Sequence, residues 1–349
     1  MNKIRTALLS FGMSGRVFHA PFIQLHQGFE LVGAWERHTK KIQSYYPETK
    51  SFDTLEEVLQ NSEIDIIIVN TPTYTHFEYA KKALLAGKHI VVEKAFTTTL
   101  AEAKELQEIA IKQNKKIGVF QNRRWDSDFK TCKKILEQGF LGELVEAEIH
   151  FDRYNPIVGP KKHKEEPGPG GGILKDLGPH VIDQALCLFG IPKALNADIR
   201  ITRPDSKVDD WLDITFYYPT LSVRLKAGYI VREIPASFIF HGQKGSFLKS
   251  RADIQEAQLL KDVKPNRTDW GTEPETEQGI LHYEKDGNFI REKIKSEQGN
   301  YYDYYDGVYN AIMNDIEMPV SDNDGIQVMY LIEKAIESMG QKKRVIIEI

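Results

Sequence analysis

The sequence predicts an α/β protein of two domains, in which a doubly wound parallel sheet is followed by a domain built on antiparallel strands. Three observations lead to this prediction. The 349 residues exceed what one hydrophobic core usually supports. Short apolar runs alternate with helical patterns over the first third of the chain, which is typical of parallel strands joined by crossover helices. From Phe140 onward, most segments are strand-like and alternate polar with apolar residues. We place the domains at residues 1–122 and 123–349.

Five apolar runs in the first third are short enough to be strands. One of them, Ile64–Val69, is rich in β-branched residues and suits a strand covered on both faces. Helix signals lie between the runs: Asp53 with Glu56 predicts a capping box, and "THFEYAKKALLAG" predicts a helix that starts at Thr75 and stops at Gly87. The predicted strands are Ile4–Leu9, Phe29–Trp35, Ile64–Val69, His89–Val92 and Lys116–Phe120, and a further helix is predicted over Thr99–Gln113.

A turn with two glycines, "SFGMSGRVFHAP", follows the first strand and precedes a helical stretch. In a dinucleotide-binding turn, glycines let the backbone approach a pyrophosphate and let the helix pack on the strand. Here Ser10 stands at the first glycine position, while Gly12 and Gly15 are retained. An ordinary glycine-rich connection is the alternative. Together with the neighbouring strand ends, the predicted cofactor-binding residues are Gly12, Met13, Ser14, Gly15, Glu36, Arg37, Thr71, Pro72, His76, Glu93 and Lys94.

The end of the second strand bears on the choice between NAD and NADP. Glu36 is placed to accept hydrogen bonds from a ribose 2′-hydroxyl, which favours NAD. The cations that follow it suit the 2′-phosphate of NADP, and they are Arg37, His38, Lys40 and Lys41. We therefore predict NAD(P), with NADP slightly favoured.

Two other strand ends carry chemistry. "VNTPTYTH" follows the third predicted strand, where Thr71, Pro72 and His76 are expected to line the nicotinamide. "HIVVEKAF" places Glu93 and Lys94 at the same edge of the sheet. A lysine beside a positively charged nicotinamide is a candidate for moving a proton, although most lysines are surface groups.

In the second domain, "DSDFKTCKKILEQG" predicts a helix that ends at Gly139. The strand-like segments that follow are expected to form an antiparallel sheet that packs on helices with one face, and they are "LVEAEIHFDRY", "DITFYYP", "SVRLKAGYI", "SFIFHG" and "SFLKS". The loop from Tyr154 to Gly172 is either a linker or a mobile border of an active cleft. Asp176 and His180 follow it and are four residues apart, so they share one face if they lie in one helix, with Pro179 in its first turn. Taken alone, they suit a capping acid and a structural histidine.

The motifs together resemble the Gfo/Idh/MocA oxidoreductases, a family that includes glucose–fructose oxidoreductase and inositol dehydrogenases. The resemblance rests on the glycine turn, "NTPTYTH", "EKAF" and "GGGILKDLGPHVIDQAL", and it extends over essentially the whole chain. "FHAPFIQLH", "QNRRWDSDF" and "GQKGSF" look most like the branch of NADP-dependent scyllo-inositol dehydrogenase. The resemblance implies a Rossmann domain and a C-terminal α/β domain with an open, mostly antiparallel sheet. Ala95 departs from the family's usual EKP, in which proline follows the lysine.

The resemblance makes Lys94, Asp176 and His180 the predicted catalytic residues. His180 would take the proton of a secondary alcohol, Asp176 would hold the hydroxyl or raise the basicity of the imidazole, and Lys94 would polarise the oxygen. Whether Lys94 or His180 accepts the proton stays open. Arg124 and Tyr154 are candidate substrate residues. We expect a sugar or polyol dehydrogenase, with an NAD-assisted glycoside hydrolase and a cofactor-sensing regulatory protein as alternatives.

Composition excludes other classes. The 46 Lys and Arg residues against 50 Asp and Glu residues give a net charge of −4, so no basic excess favours nucleic acid. No apolar run is long enough for a membrane span, which predicts a cytoplasmic protein. Cys132 and Cys187 have no CxxC or histidine partner, so buried thiols are expected and no metal site is predicted. The resemblance also implies a homodimer or homotetramer formed through the C-terminal sheet.

Overall fold

The computed structural model describes residues 3–348. The first compact unit contains the chain up to Asn122 together with residues 255–270 and 300–329. The second contains residues 123–254, 271–299 and the chain from Tyr330 onward. The first unit thus includes two later segments that the predicted domain 1–122 lacks, and the domain boundaries stay a prediction.

The secondary structure follows the expected change from alternating elements to consecutive strands. The strands are β1 (Ile4–Leu8), β2 (Phe29–Trp35), β3 (Lys50–Phe52), β4 (Ile66–Val69), β5 (His89–Glu93), β6 (Ile117–Phe120), β7 (Leu144–His150), β8 (Ala194–Arg200), β9 (Trp211–Tyr217), β10 (Ser222–Gly228), β11 (Phe238–Gly242), β12 (Gly245–Lys249), β13 (Gly279–Lys285), β14 (Asn288–Ile294) and β15 (Val345–Ile346). The helices are α1 (Ala20–Leu25), α2 (Ile42–Tyr45), α3 (Leu55–Gln60), α4 (His76–Leu85), α5 (Leu100–Gln113), α6 (Ser127–Gln138), α7 (Lys162–Glu165), α8 (Ile173–Asp176), α9 (Gly178–Phe189), α10 (Gln255–Leu260), α11 (Tyr302–Met313) and α12 (Asp322–Gln341).

The first unit is built on a parallel sheet with the strand order β3-β2-β1-β4-β5-β6. Every residue of β4 is buried, as expected for a strand covered on both faces. The helix predicted to end at Gly139 and the helix predicted from Thr99 are also present, and Thr99 with Glu102 forms a capping box. The doubly wound parallel sheet predicted from the alternating pattern is therefore confirmed.

The capping box predicted at Asp53 and Glu56 is wrong by one residue. Helix α3 begins at Leu55, whose side chain is buried, so the residue directly before it becomes the cap. The hydroxyl of Thr54 accepts the hydrogen bond from the backbone N–H of Glu57 at 3.2 Å. The carboxylate of Asp53 instead accepts a hydrogen bond from the Lys40 ammonium at 2.5 Å.

The second unit is built on an open sheet with the order β14-β13-β12-β11-β7-β10-β9-β8-β15. All neighbouring strands are antiparallel except β7 and β10, so the prediction of a mostly antiparallel sheet is confirmed. Burial alternates along β9, where Leu212, Ile214 and Phe216 are fully buried. Helix α6 contacts β12, and helix α9 contacts β7 and β10, so the helices cover the apolar face. Strands β8, β13, β14 and β15 have no counterpart in the sequence prediction.

Asp176 and His180 do not lie in one helix, contrary to the prediction. Asp176 is the last residue of α8, whereas His180 lies in the first turn of α9 after Gly178 and Pro179. Proline has no backbone N–H and its ring crowds the carbonyl four residues earlier, so the helix is interrupted before it. Leu177 between the two helices keeps a right-handed helical conformation (φ −99°, ψ −27°), and the chain continues without a sharp turn.

The segment from Tyr154 to Gly172 is a packed structure rather than a linker. It contains α7, and the backbone N–H of Gly172 donates to the carbonyl of Lys164 at 3.0 Å. The guanidinium of Arg203 is fully buried and donates to the carboxylate of Glu165 at 2.7 Å. Glu165 in turn accepts a hydrogen bond from the backbone N–H of Gly159 at 3.1 Å. These contacts fasten the segment at its middle and at its end.

Candidate active site

Strands β1 and β4 mark the point where the strand order of the first sheet reverses, and sheets of this kind bind ligands at the carboxyl ends of such strands. Ser10 follows β1, and Asn70 follows β4. The Asn70 side chain accepts a hydrogen bond from the backbone N–H of Ser10 at 3.0 Å and donates to its carbonyl at 2.8 Å. The Ser10 hydroxyl donates to the carbonyl of Asn70 at 3.3 Å. The serine at the first glycine position therefore ties the two strand ends together.

The two glycines of the turn do different things. A Cβ atom on Gly15 would lie 2.3 Å from the carbonyl oxygen of Ser10 and 2.9 Å from the amide nitrogen of Asn70. Only glycine allows the following helical turn, Gly15–His19, to pack this closely on the strand end. Gly12 is exposed, and a Cβ atom there would meet only the Ser10 hydroxyl, at 3.5 Å. With Met13 also exposed, one side of the turn is open, and this is the side predicted to receive a pyrophosphate.

Glu93, at the end of β5, is bonded to the residues of this turn. Its Oε1 accepts a hydrogen bond from the Ser14 hydroxyl at 2.5 Å and lies 3.1 Å from Nε2 of His19. Nδ1 of His19 lies 2.7 Å from the hydroxyl of Tyr305. Burial alone would raise the pKa of Glu93, but the hydrogen bonds from His19 and Ser14 and the nearby Lys94 ammonium lower it to about 2. Glu93 is therefore an ionised acceptor that holds the turn against the strand end preceding Lys94.

Glu36 and Arg37, at the end of β2, lie in contrasting surroundings. The side chain of Glu36 points into the protein, and the residue is 6% exposed. Its carboxylate accepts hydrogen bonds from the backbone N–H of Lys41 at 2.8 Å and from the hydroxyl of Ser51 at 2.7 Å. Arg37 is exposed, with its guanidinium 5.7 Å from the centre of the Trp35 ring. Glu36 organises the loop, and Arg37 extends from it.

The residues after β4 form a short hydrogen-bonded turn that reaches the segment after Lys94. The hydroxyls of Thr71 and Thr75 are 2.7 Å apart, and Thr75 also donates to the carbonyl of Pro72 at 2.7 Å. The ring nitrogens of His76 each lie 2.8 Å from a carbonyl oxygen, one of Thr71 and one of Ala95. Burial lowers the pKa of His76, so at neutral pH the uncharged ring donates to one of the two. His76 thus connects the loops predicted to contact nicotinamide.

In the second unit, Asp176 lies next to a cation and a phenol. Its Oδ1 accepts a hydrogen bond from the Lys164 ammonium at 2.6 Å. Its Oδ2 accepts a long hydrogen bond of 3.4 Å from the Tyr229 hydroxyl. His180 is buried, and its ring centre is 5.9 Å from that of Phe151. The carboxylate and the imidazole are thus both held on the helix pair α8 and α9.

The two predicted substrate residues each have a partner within the second unit. Arg124 donates two parallel hydrogen bonds to Asp183, from Nε at 2.9 Å and from Nη2 at 2.7 Å. This bidentate arrangement fixes the plane of the guanidinium. Tyr154 is partly exposed, and its hydroxyl accepts a hydrogen bond from Arg232, whose guanidinium lies 4.4 Å from the tyrosine ring centre. Their roles toward substrate stay predictions.

Residues 3–348 contain no group of three or more His, Cys, Asp or Glu side chains arranged to hold a metal ion. Across the same residues, none of the helices combines the length and the apolar character needed to cross a bilayer. Cys132 is buried and Cys187 is partly buried.

Comparison with known proteins identifies the family. Residues 4–121 match the profile described as the oxidoreductase family NAD-binding Rossmann fold, and residues 133–347 match the C-terminal alpha/beta domain of the same family. The chain belongs to the Gfo/Idh/MocA oxidoreductase family. The family resemblance predicted from the motifs is thereby confirmed, as is an NAD-binding domain of the Rossmann type.

Individual relatives match over nearly their full length. The chain is 38% identical to the Uncharacterized oxidoreductase YdgJ of Escherichia coli K12, covering 97% of this chain and 96% of the relative. It is 32% identical to scyllo-inositol 2-dehydrogenase (NADP(+)) IolW of Bacillus subtilis 168, covering 100% and 97%. A crystal structure from Bacteroides fragilis superposes with a TM-score of 0.91 at 40% identity and covers 99% of this chain and 100% of that one.

The structure distributes the predicted site residues between the two units. The eleven residues predicted to bind the cofactor lie in the first unit, at the carboxyl ends of β1, β2, β4 and β5, and hydrogen bonds connect three of these four strand ends. Asp176, His180, Arg124 and Tyr154 lie in the second unit. Asn70 and His19 were missed by the sequence prediction, although an asparagine directly after a buried strand was a usable signal. No sequence pattern indicated that Lys164 and Tyr229 contact Asp176, because they lie 12 and 53 residues from it in the chain.

Proposed function

We propose that this protein is an NAD(P)-dependent dehydrogenase that transfers a hydride between nicotinamide and a secondary alcohol or ketone of a sugar, inositol or related polyol. The observation that carries the proposal is the bonding of Glu93 to Ser14. This hydrogen bond joins the end of β5, directly before Lys94, to the glycine turn after β1. The open side of that turn is the proposed pyrophosphate site. A lysine so close to the nucleotide-binding turn suits a proton-transfer role more than a surface role. The relative named scyllo-inositol 2-dehydrogenase supports the polyol class.

The proposed reaction uses Lys94 from the first unit and Asp176 and His180 from the second. When bound, the nicotinamide supplies the hydride acceptor or donor. His180 takes the hydroxyl proton as the substrate carbon is oxidised, and Asp176 accepts a hydrogen bond from a substrate hydroxyl. The Lys94 ammonium stabilises negative charge on the substrate oxygen. Each of these residues is matched to a chemical task of alcohol oxidation.

We propose NADP as the preferred cofactor. The contacts of Glu36 support this preference, because its two oxygens already accept from the backbone N–H groups of Lys41 and Ile42 and from the hydroxyl of Ser51 inside the loop. A ribose 2′-hydroxyl would have to compete with those donors. Arg37, by contrast, is an exposed cation at the same strand end, and a guanidinium binds phosphate through charge-assisted hydrogen bonds.

We also propose that the chain forms a homodimer or homotetramer through the sheet of the second unit. The support is the family resemblance, which implies assembly through this sheet, and the half-exposed face of β9 and β10 is the surface it would use. Sedimentation equilibrium of the wild-type protein tests it, and a monomer at micromolar concentration would contradict it.

The experiment for the proposed activity is a survey of sugars, inositols and other polyols with NAD and with NADP. The absorbance of the reduced nicotinamide measures the turnover of each substrate. We expect turnover of at least one polyol and a loss of turnover of about 10²- to 10⁴-fold in Lys94→Ala, with cofactor Kd nearly unchanged. The matched control is Lys104→Ala, which changes an exposed lysine on α5.

Other outcomes would favour the alternative functions. Release of free sugar from a glycoside without net formation of reduced nicotinamide would favour the glycoside hydrolase. Cofactor binding without turnover of any polyol or glycoside would favour a sensor.

A further inference from the structure

The second unit contains a cavity of about 490 Å³, within the range of small-molecule sites. One wall is formed by residues of the segment from Arg153 to Glu165, and the remaining lining includes helix α8, Tyr229 and the segment around Arg203 and Asp209. Asp176, predicted to be catalytic, is part of this lining, as is Lys164. The cavity therefore adjoins the predicted active-site carboxylate without any contribution from the first unit.

The side chains around this carboxylate hold it in one orientation. The Lys164 ammonium bonds to one oxygen and the Tyr229 hydroxyl approaches the other. The Asp176 side chain is 11% exposed and forms part of the cavity lining, so a hydroxyl group that enters the cavity meets this carboxylate. A carboxylate that is held in a fixed position orients the polyol hydroxyl that binds to it.

Lys164 is itself held in place by its neighbours. Its backbone carbonyl accepts a hydrogen bond from Gly172, and the next residue, Glu165, pairs with the buried guanidinium of Arg203. Arg203 also donates to Asp210 at 2.9 Å. The backbone of Lys164 is therefore fixed. Only the lysine side chain has to become ordered for the ammonium to bond to Asp176.

We propose that Lys164 is a positioning residue for substrate recognition. It holds Asp176 as the hydroxyl acceptor at the edge of the cavity, and the cavity receives the part of a polyol that is remote from the reacting carbon. The inference rests on the proposed function and adds the residue that makes the site selective for hydroxyl-rich substrates. The hydrogen bonds to Asp176 are formed in the bound substrate and in the transition state alike. Loss of Lys164 therefore weakens substrate binding more than it slows the chemical step.

The test compares Lys164→Met, Lys164→Arg and the matched control Lys162→Met, an exposed lysine on the same short helix. The readouts are KM and kcat for the best polyol of the survey, the Kd of NADP and the melting temperature. We expect Lys164→Met to raise KM at least about tenfold, to change kcat less than about threefold and to leave the Kd of NADP unchanged. We expect Lys164→Arg to restore KM to within about threefold, and Lys162→Met to resemble the wild type.

The outcomes separate this inference from the proposed function. A wild-type protein that turns over no polyol overturns both. An active wild type whose Lys164→Met variant keeps its KM, or whose Lys162→Met variant shows the same rise in KM, overturns only the role of Lys164. If Lys164→Met does not fold, the comparison of Lys164→Arg with Lys164→Gln asks the same question, and equal KM values for those two variants contradict the role of the charge.

Discussion

Ser14 donates a hydrogen bond of 2.5 Å to Glu93, although the two residues are 79 positions apart in the chain. The bond joins the glycine turn after β1 to the end of β5, the strand that Lys94 follows. Because Glu93 also lies 3.1 Å from His19, one carboxylate holds both the turn and the helical segment after it. The local geometry around Lys94 thus depends on a carboxylate that must stay ionised.

The first prediction concerns acid stability. The pKa of Glu93 is lowered to about 2 in the folded protein from an ordinary value of 4.5. A lowered pKa contributes stability that is fully present above pH 4.5 and is lost as the pH falls from about 4.5 toward 2. We expect the free energy of unfolding to fall less steeply over this range in Glu93→Gln than in the wild type, as measured by urea titrations. Parallel pH profiles for the two proteins would show that Glu93 does not carry this stability.

The second prediction separates the two glycines of the turn. Gly15→Ala would push a Cβ atom against the backbone of Ser10, and we expect a loss of stability of about 1–3 kcal/mol. Gly12→Ala has room for its methyl group, so we expect wild-type stability but a weaker Kd for the cofactor, because the methyl group would cover the open side of the turn. Thermal unfolding and fluorescence titration with NADP measure the two effects. Equal melting temperatures for the two variants would contradict the packing role of Gly15.

The third prediction concerns cofactor choice. Removal of a charge-assisted hydrogen bond costs about 1.5–3 kcal/mol, so Arg37→Ala should weaken the Kd of NADP roughly 10- to 100-fold and change that of NAD little. Lys40→Ala is the control, because Asp53 already pairs with that ammonium. Calorimetric titration with both nucleotides provides the comparison. If NADP binding weakens equally in both variants, Arg37 is not a specific phosphate ligand.

The fourth prediction concerns a buried ion pair in the second unit. Lys249 and Glu273 are 2.7 Å apart and almost completely buried, and Ser127 and Ser296 also donate hydrogen bonds to Glu273. Lys249→Met leaves a buried carboxylate without its cation, and we expect it to cost about 3–5 kcal/mol in a denaturant titration. Lys249→Met with Glu273→Gln should recover at least half of the loss, because the neutral amide accepts from one serine through its oxygen and donates to the hydroxyl of the other through its NH2 group. A double variant no more stable than Lys249→Met would contradict this explanation.

Short-range patterns determined much of the fold. Five of the six strands of the first sheet, the helix from Thr99 and the helix ending at Gly139 were predicted within a few residues, because periodicity and capping are properties of neighbouring residues. The errors were also local: Thr54 rather than Asp53 caps α3, and Pro179 separates Asp176 from His180 into two helices. Strand β3 was not predicted because three residues are too few to show a period, and β14 was not predicted because most of its residues are exposed.

The sequence by itself determined the family, the Rossmann half and the set of strand ends that carry the predicted chemistry, because parallel strands bring their carboxyl ends to one edge. Only the tertiary structure decided what those side chains contact. It directs Glu36 into its own loop, uses Gly15 to pack against Ser10, and brings Lys164 to Asp176. The physical reason is that an individual hydrogen bond depends on the direction of a side chain and on the path of distant segments, whereas the sequence pattern reports only the order and the buried faces of the elements.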